Sequence, residues 1–337
     1  MRALREAGGL SILAAAILAA GCGGELTASD AARFQGPRSF TLTYEFAATD
    51  LPADAPVRMW VPVPQDTALQ DVSGLEVDLD LPYEVVRDEE YGNEFVYVQA
   101  APEDLDDRDT ISGRLTVRVT RRPVSPGGEA TPAARDHVPT PLERFLEPDL
   151  LVPIDGKIAE EARAIAGGVR DPLQRARRLY DHVVTSMSYD KSGEGWGRGD
   201  AGYACDVRKG NCTDFHSLFI GEARSLGIPA RFVMGLPLPP SQIDGEIGGY
   251  HCWGEFYVEG RGWLPVDASE ASKHPDKKES LFTGIDEHRV QFTVGRDIEL
   301  PGSSAGPVNF SVYPHVEVAG RWHGGVDRKF LFVDDPS

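Results

Sequence analysis

At 337 residues the chain is long enough to bury a substantial core, and its length predicts about two domains. Hydrophobic residues make up 41% and charged residues 26% of the chain, a balance typical of a globular protein. The formal net charge of -19 argues against nucleic acid as a partner, because phosphates require a basic protein surface.

The N-terminus predicts export. Arg2 and Arg5 precede an apolar run, Leu10 to Ala20, which is too short to span a bilayer and is typical of a signal peptide. The run leads into L-A-A-G-C, ending at Cys22. This stretch resembles the lipobox of bacterial lipoproteins, although Ala19 stands where leucine is more usual.

The lipobox resemblance implies that residues 1–21 are a signal peptide and that Cys22 is lipidated and becomes the new N-terminus. Small and polar residues within 22–37 would then tether the body to the membrane. We therefore expect a protein of the bacterial cell envelope, lipid-anchored at the outer membrane or facing the periplasm. Ordinary secretion is the alternative.

Residues 38–122 predict an all-β domain. Four segments alternate or cluster strand-forming residues, and Pro- and Gly-rich turns separate them. The segments are F-T-L-T-Y-E-F, V-R-M-W-V-P-V-P, N-E-F-V-Y-V-Q and R-L-T-V-R-V-T. Because no convincing amphipathic helix intervenes, we expect a β-sandwich of immunoglobulin-like character, without a catalytic motif.

Residues 123–150 are interpreted as a linker, since R-P-V-S-P-G-G-E-A-T-P is typical of an exposed interdomain segment. Two helices are predicted next. One covers 155–166, and the other begins with Asp171 as N-cap and Pro172 as its first residue. The apolar stripe on the second helix indicates core packing.

A long glycine-rich loop leads to Cys212. Such a loop inside a compact domain is usually functional or mobile, so we expect it to form one wall of a cleft. Trp196 and Tyr203 in this stretch could contact the substrate or supply an oxyanion donor beside the Cys212 amide. Simple packing of both side chains is the alternative.

Cys212 stands at the start of a predicted helix in G-N-C-T-D-F-H. Asn211 can act as the N-cap, and Asp214 falls in the first turn, where a carboxylate suits the helix dipole. The N–H groups and the dipole at a helix N-terminus favour thiolate over thiol, which can make a cysteine nucleophilic near neutral pH. A small buried cysteine is the alternative.

The stretch from 251 to 269, H-C-W-G-E-F-Y-V-E-G-R-G-W-L-P-V-D-A-S, predicts a β-hairpin. If Asp267 pairs opposite Trp253, its side chain lies on the same face as His251 and within reach. A register shifted by one residue would need a bulge to bring them together. His251 could then accept the thiol proton while Asp267 holds the imidazole tautomer.

The segments G-N-C-T-D-F, A-R-S-L-G-I-P-A-R-F-V-M-G, Y-H-C-W-G-E-F and G-W-L-P-V-D resemble the bacterial transglutaminase-like superfamily. They lie in the right order and spacing over roughly residues 154–289. The resemblance implies a papain-like α+β fold with a catalytic domain over 151–290. It also implies a triad of Cys212 as nucleophile, His251 as base and Asp267 as orienting carboxylate.

We therefore expect a cell-envelope thiol enzyme that cleaves amide bonds of peptide, protein or peptidoglycan-peptide substrates through a thioester. Transfer to water would make it a peptidase or amidase, and transfer to an amine would make it a transglutaminase. Hydrolysis is favoured because water is abundant and no amine site is recognisable; no cofactor is expected. The alternative is a surface-tethered binding or structural module whose triad is unused.

The remaining cysteines and histidines leave zinc as an alternative, with ligands drawn from Cys205, Cys212, His216, His251 and Cys252. No C-x-x-C pair exists, and adjacent residues on a strand point to opposite faces, so no metal is predicted. His216 is expected to be buried and hydrogen-bonded. In an oxidising compartment, Cys205 and Cys252 are expected to form a disulfide that leaves Cys212 free.

Residues 291–337 are predicted to form a C-terminal β extension. The strand-like pieces V-Q-F-T-V, V-N-F-S-V-Y and K-F-L-F-V lie in or next to this segment. None of them carries a functional motif.

Overall fold

The computed structural model describes residues 36–106, 108–127 and 140–336. The predicted signal peptide 1–21, the predicted lipidation residue Cys22 and most of the predicted tether lie outside these ranges, as does the centre of the predicted linker. Within the described ranges, no helix is long and apolar enough to cross a membrane.

The elements follow one another in three groups along the chain. The first group is β1 (Arg38–Ala48), β2 (Val57–Pro62), β3 (Gln70–Leu79), β4 (Tyr83–Arg87), β5 (Glu94–Ala100), α1 (Pro102–Leu105) and β6 (Ile111–Arg121). The second is α2 (Gly156–Ala166), α3 (Pro172–Ser186), β7 (Ser188–Tyr189), α4 (Ala201–Val207), β8 (Lys209–Gly210), α5 (Cys212–Ser225), β9 (Ala230–Pro237), β10 (Asp244–Ile247), β11 (His251–Val258), β12 (Gly262–Val266), α6 (Ala268–Lys273) and β13 (Arg289–Val294). The third is β14 (His315–Val318), β15 (Arg321–Trp322) and β16 (Val326–Asp334).

Two antiparallel five-stranded sheets form the sandwich, in the orders β10-β16-β1-β6-β3 and β15-β14-β2-β5-β4. The four strands predicted for this part are β1, β2, β5 and β6. In β1 every second side chain is buried, including Phe40, Leu42 and Tyr44, as expected for a strand with one face on the core. β3 and β4 were not predicted, because most of their residues are exposed and the alternation is weak.

The C-terminal segment completes the sandwich. β16 lies between β1 and β10, and β14 pairs with β2. The predicted strand V-N-F-S-V-Y is wrong: within it only Val308 forms an isolated bridge, to Ile298. Its aromatic residues Phe310 and Tyr313 pack against the ring of Tyr250.

The second unit packs helices against a four-stranded sheet of order β12-β11-β9-β13. The structure thus has the predicted α+β class. Helix α5 runs through the middle, in contact with α2, α3, α4 and β11. The sequence pattern indicated one apolar face, but every residue from Cys212 to Arg224 is buried, so the helix is covered on all sides. The predicted cap of α3 is present, with Asp171 Oδ1 accepting from Gln174 N at 2.8 Å.

Two side-chain amides of the sandwich cover the free edge of β13. Gln70 donates from Nε2 to Gln291 O at 2.9 Å and accepts from Gln291 N at 2.8 Å. Asn93 does the same with Val294, donating to its carbonyl at 2.9 Å and accepting from its N–H at 2.8 Å. These amides continue the hydrogen-bond ladder beyond the last strand and join the two units. The predicted domain boundary at residue 290 falls inside β13.

The described ends of the predicted linker also pack on the body. Val124 forms a bridge with Ile285, and Gly127 N donates to Thr283 Oγ1 at 3.2 Å. A 3-10 turn at Leu142–Leu146 then buries Phe145 beside Trp263, with ring centroids 5.1 Å apart. These contacts attach both ends of the segment to the second unit.

Candidate active site

Cys212 is the first residue of α5, and only 2% of its surface is exposed. Asn211 is the N-cap, as predicted: its Oδ1 accepts from Thr213 N at 3.0 Å, and its backbone N donates to Asp214 Oδ2 at 2.9 Å. This capping box fixes the start of the helix and holds Cys212 at the positive end of the helix dipole.

Asp214 also anchors the glycine-rich loop. Its carboxylate accepts from Gly197 N at 2.7 Å and from Gly199 N at 3.0 Å. Gly210 passes so close that a Cβ there would meet Asp214 Oδ2 at 2.2 Å. The backbone just before the cysteine therefore requires glycine, and the loop is bound to the same carboxylate that caps the helix.

The hairpin register brings His251 and Asp267 to one end of the sheet. β11 pairs with β12 from Gly254 opposite Val266, so the next position places Asp267 opposite Trp253 without a bulge. The strand ends there because Asp267 becomes the N-cap of α6, with Oδ1 accepting from Glu270 N at 3.0 Å.

The structure brings the three predicted triad side chains together. His251 Nε2 lies 2.7 Å from Asp267 Oδ2, and the His251 ring is hydrogen-bonded to the Cys212 thiol. Because Nε2 is bound to the carboxylate, the nitrogen that serves Cys212 is Nδ1. Both His251 and Asp267 are buried.

Arg289 holds the carboxylate from the other side. Its Nη1 donates to Asp267 Oδ2 at 3.0 Å, while Nε and Nη2 donate to the two oxygens of Asp286, each at 3.1 Å. Sequence analysis missed this residue. Arg289 opens β13, 22 residues after Asp267, and no spacing rule connects the start of a strand to the N-cap carboxylate of a helix elsewhere in the domain.

The family described as the transglutaminase-like superfamily matches residues 160–268. Residues 160–268 form a transglutaminase-like domain.

Similar proteins match the chain beyond this domain. An uncharacterized protein from Haemophilus influenzae is 27% identical, over 88% of this chain and 89% of its own length. The solved structure of a proposed cysteine protease from Cytophaga hutchinsonii is 20% identical with a TM-score of 0.55, over 89% of this chain and 98% of that one. The periplasmic domain of TgpA from Pseudomonas aeruginosa, bound to ethylmercury, is 18% identical with a TM-score of 0.38, over 74% and 96%. The Cytophaga structure supports the fold over the 89% of this chain that it covers.

The charges within the transglutaminase-like domain favour an ion pair between Cys212 and His251. A hydrogen bond from Cys252 lowers the pKa of Cys212, whereas burial raises it. His251 lowers it further through a hydrogen bond and its charge, so that the pKa of Cys212 is well below the ordinary thiol value. Burial alone would lower the His251 pKa, but the charge and hydrogen bond of Asp267 raise it to about 10. Both shifts favour a thiolate on Cys212 beside an imidazolium on His251.

His216 is buried and hydrogen-bonded, as predicted. Its Nε2 accepts from Ala268 N at 3.1 Å, and its Nδ1 lies 3.6 Å from Cys252 Sγ. Cys252 follows His251 on β11 but faces α5. Both consecutive residues therefore interact with Cys212, and no role for Cys252 was predicted from the sequence.

Neither Trp196 nor Tyr203 has a hydrogen bond to Cys212 in the described part of the chain. Trp196 Nε1 donates to Gly193 O at 3.2 Å. The ring of Tyr203 packs against the loop, where a Cβ on Gly195 would lie 2.8 Å from it. Its buried hydroxyl has no hydrogen-bond partner within the ranges that the structure describes. These contacts agree with the packing alternative, although both rings border the loop held by Asp214.

The predicted disulfide between Cys205 and Cys252 is wrong, because Cys205, Cys212 and Cys252 are all free thiols. On α4, Cys205 donates to Glu161 Oε2 at 3.1 Å, whereas Cys252 contacts His216 and Cys212. The two thiols have separate partners in different parts of the domain. The sequence does not show which neighbour each cysteine faces.

One group among the described residues could hold a metal ion. Ligand atoms of Glu161, His182 and Glu222 lie within 4.8 Å of one another. Glu161 is already bound by Arg208, Cys205 and His182, so three donors satisfy its carboxylate. The group does not include the sulfur and imidazole ligands considered from the sequence, and it is separate from the triad.

Proposed function

We propose that this chain is a thiol enzyme that acts on amide bonds of peptide or protein substrates through a thioester on Cys212. The observation that carries the proposal is the hydrogen-bonded series from Cys212 through His251 to Asp267, with 2.7 Å between the last two side chains. A nucleophile, a base and an orienting carboxylate in sequence are the parts that covalent amide chemistry needs.

The reaction follows from the protonation states. The Cys212 thiolate attacks the carbonyl carbon, and negative charge develops on the oxygen near the N-terminus of α5, where backbone N–H groups lack helical acceptors. His251 gives its Nδ1 proton to the leaving nitrogen as the C–N bond breaks. The neutral imidazole then takes a proton from water, which attacks the thioester and releases the acid and the Cys212 thiolate.

Hydrolysis is favoured over transfer to an amine, because water is abundant at any active site. Peptides, proteins and peptidoglycan stem peptides all offer the required amide. A peptidase or amidase adds one water across the bond, while a transglutaminase joins the acyl group to a primary amine. Incubation of the enzyme with peptide and peptidoglycan-peptide substrates plus a fluorescent primary amine distinguishes hydrolysis from transfer to the amine by the mass of the product.

The decisive experiment compares the wild type with Cys212→Ala and Cys205→Ala. We expect product and a mass-detected acyl adduct on Cys212 in the wild type and in Cys205→Ala, and neither in Cys212→Ala, because the covalent step needs the thiol. Cys205 is the matched control since its thiol is bound to Glu161. Product formation by Cys212→Ala would refute the mechanism, and wild type without any product would favour a binding module.

We also propose that the enzyme acts in the bacterial cell envelope, anchored by a lipid on Cys22. The support is the stretch L-A-A-G-C behind a short apolar run. Two or more acyl chains anchor a protein stably, whereas one does not. Labelling cells with a tagged fatty acid should mark the wild type but not Cys22→Ser. A native mature N-terminus that is unmodified, or that lies elsewhere, would contradict this expectation.

A further inference from the structure

A second series of hydrogen bonds, separate from the one through His251, leads to Cys212. It begins at the backbone of Ala268, whose N–H donates to His216 Nε2 at 3.1 Å. A neutral imidazole has one donor and one acceptor nitrogen, so an accepting Nε2 places the proton on Nδ1. His216 has no exposed surface, and its burial lowers its pKa, which agrees with a neutral ring.

His216 is hydrogen-bonded to the backbone of Cys212, and its Nδ1 also faces the sulfur of Cys252. Nδ1 lies 3.6 Å from Cys252 Sγ, within the range of a hydrogen bond to sulfur. Cys252 is fully buried and is hydrogen-bonded to Cys212. Since its sulfur accepts from His216, its own S–H is free to donate to the Cys212 thiolate. Burial raises the Cys252 pKa, so Cys252 keeps this proton while Cys212 is ionised.

The two consecutive residues Asp267 and Ala268 thus hold the two histidines that lie near Cys212. The carboxylate of Asp267 holds His251 at 2.7 Å, and the backbone N–H of the next residue, Ala268, fixes the tautomer of His216. We propose that Cys252 stabilises the Cys212 thiolate by donating a hydrogen bond to it, with His216 as the positioning residue that sets the direction of that bond.

The proposal rests on the proposed function and assigns Cys252 a place in it. A hydrogen bond to an ionised acceptor is stronger than one between neutral groups. The bond is therefore strongest when Cys212 is a thiolate and weaker when its sulfur is acylated. It should favour the free thiolate before attack and again as the leaving group when water opens the thioester. No proton has to cross Cys252 in either step.

The test measures alkylation of Cys212 by iodoacetamide against pH, on the full chain, with the modified peptide assigned by mass. Cys252→Ala removes the donor, Cys252→Ser keeps an O–H donor, and Cys205→Ala is the matched control with a buried thiol elsewhere. The other titratable groups beside Cys212 are Tyr189 on β7, Asp214 on α5 and Tyr250 before β11, and every variant retains them.

We expect Cys252→Ala to shift the alkylation profile to higher pH and to slow the reaction on its acidic limb by about tenfold or more, the factor for one hydrogen bond to a charged group. Cys252→Ser should recover most of that loss, and Cys205→Ala should match the wild type. A folded Cys252→Ala with the wild-type profile overturns the proposal. So does a Cys252→Ser variant that is as slow as Cys252→Ala.

A second measurement needs no variant. Nitrogen-15 NMR of the histidine side chains should find His216 neutral and protonated at Nδ1 between about pH 5 and 8, whereas an Nε2-protonated ring overturns the proposal. Neither readout requires a substrate. If the wild type shows no turnover but Cys252→Ala shows the expected alkylation shift, only the proposed reaction is contradicted. If the wild type turns over normally but the Cys252→Ala profile is unshifted, only the proposed role of Cys252 is contradicted.

Discussion

The charge of Asp267 keeps His251 protonated, so the pH range of activity depends on it. The His251 pKa is raised to about 10, and loss of the imidazolium should end activity on the alkaline side near that pH. In Asp267→Asn the charge is gone while burial, which lowers this pKa, remains. We expect the alkaline limb of kcat/KM to move toward or below neutral pH, and the rate to fall by up to about 10⁴-fold if the wrong tautomer forms.

The matched control for this prediction is Asp286→Asn. Asp286 holds the same Arg289 but does not contact His251, so its loss should leave the alkaline limb in place. An unchanged limb in Asp267→Asn would show that another group controls the proton on His251.

Glu222 is a buried acid, and no donor among the described residues is hydrogen-bonded to either of its carboxylate oxygens. Burial and the nearby charge of Glu161 raise its pKa well above the ordinary value. An acid with a raised folded pKa stabilises the fold least at high pH: its contribution is full below the unfolded pKa of about 4.3 and is lost as the pH rises toward the folded pKa. We therefore expect Glu222→Gln to gain stability relative to the wild type from pH 4 to pH 8.

Thermal unfolding at several pH values checks this expectation. Glu160→Gln is the control, because Glu160 is an exposed glutamate on α2, the helix that carries Glu161. Its difference in melting temperature from the wild type should be small and the same at every pH. Parallel curves for Glu222→Gln and wild type would mean that Glu222 is ionised in the fold and has a counter-charge.

At the residue scale, the sequence predicted the groups that stand in motifs. Capping signals predicted Cys212 at a helix start and turn signals predicted His251 and Asp267 on one hairpin, because these rules act over a few residues. The assignment of the three as a triad followed from the family resemblance. Arg289 and the role of Cys252 were not found, because each depends on which face of a distant element it meets. The Cys205–Cys252 pairing failed for the same reason.

At the scale of elements, the capping carboxylate of α5 also serves as the anchor of the loop before it. Asp214 accepts from the N–H groups of Gly197, Gly199 and Asn211. Asn at this position has a single acceptor oxygen and no charge, so it cannot hold all three. We expect Asp214→Asn to make the stretch 190–200 more sensitive to limited proteolysis, by an order of magnitude in rate if about 1.4 kcal/mol is lost.

Asp171→Asn is the control for this change. Asp171 caps α3 through one bond, to Gln174 N, and is exposed, so its replacement by another good capping residue should be nearly neutral. Cleavage rates in 190–200 that are equal in the wild type and Asp214→Asn would show that the loop is held by contacts other than this carboxylate.

The hairpin and the start of α5 were predictable because each has strong local signals: E-G-R-G between two aromatic-rich runs, and an N-cap before a helix. β3 and β4 were missed since their side chains are largely exposed, and a strand that buries little leaves little alternation to detect. The sequence predicted burial of only one face of α5, because the neighbours that cover its polar side are not revealed by local periodicity.

At the scale of the whole molecule, the two units meet where Asn93 bonds to both backbone groups of Val294. Asn93 is 1% exposed, so replacing it by leucine leaves a buried N–H and a buried C=O without partners. We expect Asn93→Leu to lower the free energy of unfolding by about 1–3 kcal/mol. Calorimetry should also show the sheet of the second unit melting at a lower temperature.

Gln99→Leu provides the control, since Gln99 is an exposed amide on β5, the strand that begins just after Asn93. Its effect should stay within about 0.5 kcal/mol. A loss no larger in Asn93→Leu than in Gln99→Leu would mean that the edge of β13 finds other partners.

The position of β16 between β1 and β10 has a consequence for how the protein is made. Synthesis delivers the N-terminal strands first, yet the neighbour of β1 is encoded in residues 326–334. Until the ribosome has released those residues, β1 keeps an open edge that can pair with another chain. The sandwich can therefore be completed only after residues 326–334 have left the ribosome, and a nascent chain needs protection from aggregation until that strand is available.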